Sequence, residues 1–174
     1  QNCGDEGVHL MTVDPEYEGG VVVDGFTIDG SGKFGAVSSY DGKSGLTFVN
    51  NVVTNCRGGA VYFYDHADNL ISNCLFVGNG VPMDSPLGGD SAVKGGQASA
   101  LEVALSGLDM ERCVFIGNRT QLKSSAYGAF NGTVYATVGP LSTVFRIAHC
   151  LFIGNEDTLS QDPKSWPGGA VNIS

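Results

Sequence analysis

The segment that decides the fold is residues 74–79, which read CLFVGN and recur twice, almost unchanged, further along the chain. The other copies are CVFIGN at residues 113–118 and CLFIGN at residues 150–155. We align two more divergent copies with them, NNVVTN at residues 50–55 and DGFTID at residues 24–29. The last residues of the five copies are 26, 24, 39 and 37 positions apart, and such recurrence indicates a repeat protein.

A second motif alternates with the first. Residues 58–63 read GGAVYF and residues 168–173 read GGAVNI, with looser versions at residues 34–37, 95–98 and 127–130. Both motifs are short and alternate between two faces, which is typical of strands and too brief for a helix. The 26 glycines of the 174 residues largely mark the turns between these strands, where a positive φ is easily adopted.

This period predicts an all-β fold, a parallel β-helix of about five coils, because one turn of such a solenoid takes roughly 22–28 residues. We expect a single domain over residues 1–174, opened by an entry segment at residues 1–20. The longer spacings predict loop insertions at residues 80–94, 119–125 and 156–167. The closing residues of the copies predict a ladder of stacked turns, formed by Asp29, Asn55, Asn79, Asn118 and Asn155.

Three of the five cysteines, Cys74, Cys113 and Cys150, hold one repeat position, two residues before a phenylalanine. Alternation puts them on the inward face, so we expect a buried column of cysteines. A disulfide between adjacent coils is the alternative, since stacked Cα atoms about 5 Å apart are within bonding range. For the remaining two cysteines we predict a Cys3–Cys56 disulfide.

The paired GGA-hydrophobe and FxxN motifs resemble the repeats of chlamydial polymorphic outer-membrane proteins and of related bacterial β-helix surface proteins. The resemblance covers about residues 20–174 and implies a right-handed coil, the hand that parallel crossovers generally take. It also implies an extracellular or cell-surface location. Proteins of this kind include adhesins, passenger domains and carbohydrate-active enzymes.

Charge and composition exclude several classes of partner. With 9 Lys and Arg against 18 Asp and Glu, the net charge of −9 disfavours binding to nucleic acid and to anionic membranes. No apolar run is long enough to insert into a membrane as a helix. Three N-x-S/T sequons, at Asn118, Asn131 and Asn172, are candidate glycosylation sites for a secreted protein.

Catalysis would need a pair of carboxylates across a sugar, and the candidates are Asp65, Asp68 and Glu102. We favour the simpler explanation that residues 64–69 form a polar turn, and we expect no cofactor and no metal site. A candidate partner face is formed by three tyrosines that we expect to point outward, Tyr62, Tyr64 and Tyr135. We expect Glu102 to point outward as well.

The function expected is therefore that of a non-enzymatic extracellular structural or adhesive protein. Its most specific form is a subunit of a head-to-tail surface filament, whose partners are further copies of the chain. Neighbouring coils of a longer chain, or glycans, are the other partners considered. The alternative is a carbohydrate-active enzyme, either a polysaccharide lyase or a glycoside hydrolase, or a carbohydrate-binding β-helix.

Overall fold

The structure, a computed structural model, describes residues 9–13, 20–32, 35–40, 45–56, 60–64, 67–80, 98–121, 132–140, 142–158 and 170–173. Every regular element in these ranges is a strand, and every pair of strands is parallel. The strands are β1 His9–Val13, β2 Val21–Asp24, β3 Thr27–Asp29, β4 Gly35–Tyr40, β5 Leu46–Val49, β6 Val52–Thr54, β7 Val61–Tyr64, β8 Asp68–Ser72, β9 Leu75–Val77, β10 Leu101–Ala104, β11 Gly107–Glu111, β12 Val114–Ile116, β13 Arg119–Gln121, β14 Val134–Ala136, β15 Phe145–Ala148, β16 Leu151–Ile153, β17 Glu156–Thr158 and β18 Val171–Ile173.

Three sheets run along the molecule, and each takes one strand from every turn of the chain. The first sheet has the order β1-β4-β7-β10-β14-β18, the second β15-β11-β8-β5-β2 and the third β16-β12-β9-β6-β3. Each strand therefore pairs with its equivalent one turn later, which is the topology of a parallel β-helix. Five coils are complete and β18 opens a sixth, so the prediction of a parallel β-helix with about five coils is confirmed.

The core is a stack of equivalent side chains. In the third sheet Phe76, Phe115 and Phe152 face inward in register, and the ring centroids of successive phenylalanines are 4.7 Å apart. Val53 and Ile28 hold the same inward position in the second and first coils. Phe76 and Phe115 are fully buried, and the inward residues of the other two sheets, such as Phe63 and Met110, complete the core.

The asparagine ladder forms at the turn after the third sheet. Oδ1 of Asn118 accepts hydrogen bonds from the backbone N–H and Nδ2 of Asn79, at 3.0 and 2.9 Å, and Nδ2 of Asn118 donates to Oδ1 of Asn155 at 2.8 Å. Each Nδ2 also donates to the carbonyl of the inward residue one coil earlier, as from Asn118 to Phe76 O at 3.0 Å. Asn79 and Asn118 are almost fully buried, so their side-chain amides are shielded from solvent and depend on these hydrogen bonds for partners.

Two of the expected ladder members are wrong. Strand register pairs Val53 with Phe76, so Asn55 is equivalent to Gly78 and not to Asn79. The ladder position in that coil is Cys56, whose backbone N–H donates to Asn79 Oδ1 at 3.0 Å. Asp29 is two places out of step, since it pairs with Thr54. The cause is that inward Val53 and Ile28 replace phenylalanine, while the sequence alignment matched Val52 and Phe26 to it.

Two turns per coil need the left-handed backbone conformation. The residue two places before the start of each third-sheet strand has positive φ, and the occupants in successive coils are Gly25, Asn50, Asn73, Arg112 and His149. After that strand the occupants are Asn55, with φ 50°, and then Gly78, Gly117 and Gly154. Glycine and asparagine fit because both tolerate this conformation.

The segments predicted as an entry and as insertions contribute strands where the structure describes them. Residues 119–121 form β13 and residues 156–158 form β17, and the two pair with each other. Gly80 bridges to Arg119, and β1, which lies in the entry segment, pairs with β4 of the next coil. The rest of the three insertions lies outside the described residues.

The phenylalanine stack yields a stability prediction. Replacing Phe115 by alanine removes a fully buried ring between two others, and we expect it to lower the free energy of unfolding by about 3–5 kcal/mol. The control is Phe26→Ala, which removes a ring that is 55% exposed and should change stability by less than about 1 kcal/mol. Urea unfolding measures both, and equal losses would contradict an inward stack at the position of Phe115.

Candidate interaction surfaces

Asp68, one of the candidate catalytic acids, links two coils through hydrogen bonds, and we call this link the Asp68 staple. Its Oδ1 accepts hydrogen bonds from the backbone N–H groups of Thr143 and Val144, at 2.8 and 3.0 Å, and its Oδ2 accepts one from the Thr143 hydroxyl. The hydrogen bond from the Thr143 side chain, with the two from the backbone, lowers the pKa of Asp68. The side chain thus ties the third coil to the fifth.

Gly107 in the intervening coil makes this reach feasible. A Cβ atom at this position would lie 2.0 Å from Asp68 Oδ1 and 2.8 Å from the Ala67 carbonyl oxygen. Only glycine leaves room for the carboxylate to pass the fourth coil.

The other candidate acids do not join Asp68 in one groove. Glu102 lies on β10 in the first sheet, whereas Asp68 begins β8 in the second. Glu102 is also buried, with 3% of its surface exposed, and is engaged by other groups of the chain. Asp65 lies outside the described residues. Two described carboxylates on different sheets, one buried and one holding a turn, do not make the facing pair that a glycosidase needs.

The tyrosine face expected on the first sheet is only partly exposed. Tyr62, Glu102, Tyr135 and Asn172 stack in register on the outer side of this sheet. Tyr135 and Glu102 are 5% and 3% exposed, so the expectation that they present an open face is wrong. Strand alternation gives a side chain's direction, but it does not tell whether other parts of the chain cover it. Tyr62 and Tyr64 are half-buried, with nearly parallel rings 6.4 Å apart.

The second sheet carries a charged cluster on its outer side. Arg146 donates to Asp109 at 2.8 Å and to Glu111 at 3.0 Å, and Arg112 donates to Glu111 at 2.6 Å. The hydrogen bond from Arg146 and the charge of Arg112 lower the pKa of Glu111. Arg146 pairs with carboxylates of the neighbouring coil, whereas Arg112 pairs with the residue next to it in sequence. Because both arginines are largely exposed, these ion pairs add little stability.

The third sheet presents an aliphatic face, which the sequence analysis did not predict. We use this name for the outward residues of its last three coils, which are Leu75, Val77, Val114, Ile116, Leu151 and Ile153. Leu151 and Ile153 are 52% and 47% exposed. The signal was present in the repeats, because both residues that flank each phenylalanine are Leu, Val or Ile and alternation directs them outward.

Exposed apolar side chains concentrate at the two ends of the stack. Among the described residues nine large hydrophobic side chains are exposed, and seven belong to the first coil or to the fifth and sixth. Val22 and Phe26, 64% and 55% exposed, lie in the first coil. The others of the seven are Val138, Val144, Leu151, Ile153 and Ile173.

An open groove lies at the turn after β3, β6 and β9. It has a volume of about 470 Å³ and is lined by Asp29, Ser31, Gly32, Asn55, Cys56, Gly78 and Gly80. Among the described residues that line it, only Asp29 carries a carboxylate. In the part of the chain that the structure describes, no three His, Cys, Asp or Glu side chains come close enough to hold a metal ion.

Comparison with known families agrees with the topology. A model described as a right handed beta helix region matches residues 2–102, more than half of the 174 residues. The chain belongs to the right-handed β-helix family. The handedness expected from the sequence is thereby confirmed. Comparison with curated proteins and with solved structures gave no significant match.

The cysteines of this right-handed β-helix are free thiols wherever they are described. Cys74 and Cys113 are buried at the inward position before β9 and β12, and Cys150 is half-buried before β16. The Sγ atoms donate to the carbonyl two residues earlier, as from Cys74 to Ser72 at 3.2 Å. Cys56 is a free buried thiol whose Sγ donates to Thr54 O at 3.4 Å, so the structure does not contain the disulfide predicted for it. Its expected partner Cys3 lies outside the described residues. Burial raises the pKa of Cys56 to about 11.

The asparagines of the three sequons differ in exposure and in whether the structure describes them. Asn118 is fully buried and its amide is held in the ladder, so it cannot accept a glycan in the folded protein. Asn172 is half-buried and engaged by other groups, and Asn131 lies outside the described residues. In the described ranges no helix has the length and apolar character to cross a membrane.

The Asp68 staple yields a pH prediction. Because its pKa is lower in the folded state, the carboxylate adds stability above its ordinary pKa of about 3.9, and this stability is lost as the pH falls through the folded value. We expect Asp68→Asn to lower the melting temperature at neutral pH, and we expect this difference to shrink as the pH falls below the ordinary pKa and through the lower folded one.

The Thr143→Val variant lacks the same side-chain hydrogen bond and serves as the partner in a double-mutant cycle. The double variant should be less destabilised than the sum of the two single variants. A melting difference for Asp68→Asn that stays constant from pH 7 to pH 3 would contradict the staple.

Proposed function

We propose that this β-helix is a non-enzymatic extracellular structural protein that assembles end to end into a filament. The observation that supports this most is the concentration of seven of the nine exposed large hydrophobic side chains in the end coils. A solenoid whose apolar residues are exposed mainly at its ends is suited to pairing with another coil.

The strand edges at the two ends match in kind. Among the described strands β15 and β16 have a neighbour on one side only, and so do β2 and β3. Each such edge has backbone N–H and C=O groups that a parallel strand could pair. If β16 of one copy paired with β3 of the next in the register of the other coils, Ile28 would stack on Phe152. In the first sheet β18 already lies on β14, so the junction requires β18 to replace β1 of the second copy as the neighbour of that copy's β4.

The inward residues of the fifth coil fit the same role. Phe145, Ile147, Cys150 and Phe152 pack on the core and are only partly buried, whereas their equivalents one coil earlier are fully buried. An added coil would complete their burial, and about 25 cal/mol is gained per Å² of apolar surface removed from water.

The alternative of a carbohydrate-active enzyme has less support. Of its three candidate acids, Asp68 is committed to Thr143 and Glu102 is buried on another sheet. Extracellular placement and the resemblance to chlamydial surface-protein repeats stay predictions from composition and motif.

The end-to-end contact predicts specific effects of charge at the ends. We expect the protein to sediment as concentration-dependent oligomers and to form filaments in negative-stain images. Ile153→Glu in the fifth coil and Phe26→Lys in the first should each abolish them. The first variant places a second carboxylate opposite Asp29 of the next copy, and the second introduces a charge among apolar side chains of an end. The matched control is Leu70→Lys, an outward residue of the third coil that is 37% exposed, and it should assemble normally.

Mixing the two end variants tests the head-to-tail arrangement. The Ile153→Glu copy keeps an intact first coil and the Phe26→Lys copy keeps an intact fifth coil, so the mixture should form one junction and stop at dimers. Dimers of Phe26→Lys alone would indicate a tail-to-tail contact and contradict the proposal. A wild-type protein that stays monomeric at all concentrations would contradict it as well.

A further inference from the structure

The three inward cysteines form a connected column across the last three complete coils. Leu75, Val114 and Leu151 are in register, so Cys74, Cys113 and Cys150, which precede them, lie one above another. Backbone hydrogen bonds hold this alignment, from Val114 N to Cys74 O and from Leu151 N to Cys113 O, both 2.9 Å. Neighbouring parallel strands are about 4.8 Å apart, within the 4.4–6.8 Å that separates the Cα atoms of a disulfide.

The thiols differ in access. Cys74 and Cys113 are 2% and 0% exposed, so a reagent in solution cannot reach them in the folded protein. Cys150 is only half-buried, because it lies in the fifth coil, at the open end of the described stack. Chemistry on the column therefore starts at Cys150.

The strands differ in freedom to move. A disulfide needs Cβ atoms about 3.5–4.5 Å apart, slightly closer than stacked strands bring them. Strand β12 is held by β9 on one side and β16 on the other, whereas β16 has only β12 as a neighbour among the described strands. The small approach is easier between β12 and β16 than between β9 and β12.

We propose that Cys113 and Cys150 are a redox-active pair that forms an inter-coil disulfide by reaction with a small external disulfide, such as oxidised glutathione. First the Cys150 thiolate attacks one sulfur of the external disulfide, whose S–S bond breaks and releases one small thiolate. This small thiolate takes up the proton that Cys150 gave to water. The Cys113 sulfur then attacks Cys150 Sγ, the bond between Cys150 and the small molecule breaks, and the proton of Cys113 passes to the sulfur of the second small molecule as it leaves as a thiol. Two protein thiols are oxidised to one disulfide, and the external disulfide is reduced to two thiols.

The order of the steps agrees with the low reactivity expected of the buried Cys113 thiol. Interaction with the Cys74 side chain and burial both raise the pKa of the Cys113 thiol. Such a thiol is a poor first nucleophile. It reacts once the mixed disulfide on Cys150 is held next to it, because the reaction is then intramolecular.

The test is a peptide map of the native protein after treatment with oxidised glutathione at low protein concentration. Trypsin separates the five cysteines into five peptides, which include residues 58–94 with Cys74, 113–119 with Cys113 and 147–164 with Cys150. We expect the last two peptides to be linked without reduction and to separate on reduction. The melting temperature of the oxidised protein should rise by roughly 5–10 °C, since the disulfide closes a loop of nearly forty residues.

Two variants sharpen the result. Cys56→Ser removes a buried thiol whose register neighbour is Asn79, and it should give the same linked peptides as the wild type. Cys150→Ser should take up no glutathione at Cys113 and show no rise in melting temperature. Glutathione retained on Cys150 of the wild type, a link between residues 58–94 and 113–119, or no oxidation at all would each overturn the proposal.

Discussion

The whole structure depends on one constraint, that equivalent residues of successive coils stack in register one strand spacing apart. A residue at a given position must therefore be compatible with a copy of itself above and below. Asparagine meets this condition because its amide both donates and accepts, as Asn118 does with Asn79 and Asn155. Phenylalanine meets it by parallel stacking, with the rings of Phe115 and Phe152 4.7 Å apart and 4° from parallel.

A charged residue is not compatible with a copy of itself one strand spacing away. In the described strands a charged residue has either an opposite charge or an uncharged residue at the same position of the next coil. Asp109 has Arg146 as its register neighbour, so the column of the second sheet pairs opposite charges. Asp68 avoids a charged neighbour because Gly107 occupies the next coil and lets its carboxylate reach Thr143. Among the described residues stacking is incomplete in the end coils, and most of the exposed large apolar side chains lie there. The proposed filament and the reactive Cys150 both follow from that incompleteness.

The repeated hexapeptides were enough to predict the fold, because nearly identical segments that recur once per coil can occupy equivalent environments by stacking on one another. They also placed Cys74 and Cys113 on the inward face. The divergent copies misled, because Val53 and Ile28 take the inward position of phenylalanine and only strand pairing reveals the shift of one or two residues. Alternation directed Glu102 and Tyr135 outward, but their burial depends on chain elsewhere that no local pattern describes. The role of Asp68 was equally hidden, since Thr143 is 75 residues away in sequence.

The most direct test of in-register stacking makes one substitution at two asparagines that the sequence alone treats as equivalent. Asn118→Gly removes a buried amide that makes four hydrogen bonds to three residues. The loss should lower the free energy of unfolding by about 3 kcal/mol or more. Asn55→Gly places glycine at an exposed position with φ 50°, where Gly78, Gly117 and Gly154 stand in later coils, and should cost less than about 1 kcal/mol. Urea unfolding of the two variants measures the difference. Equal losses would contradict the register on which the ladder, the core and both proposals depend.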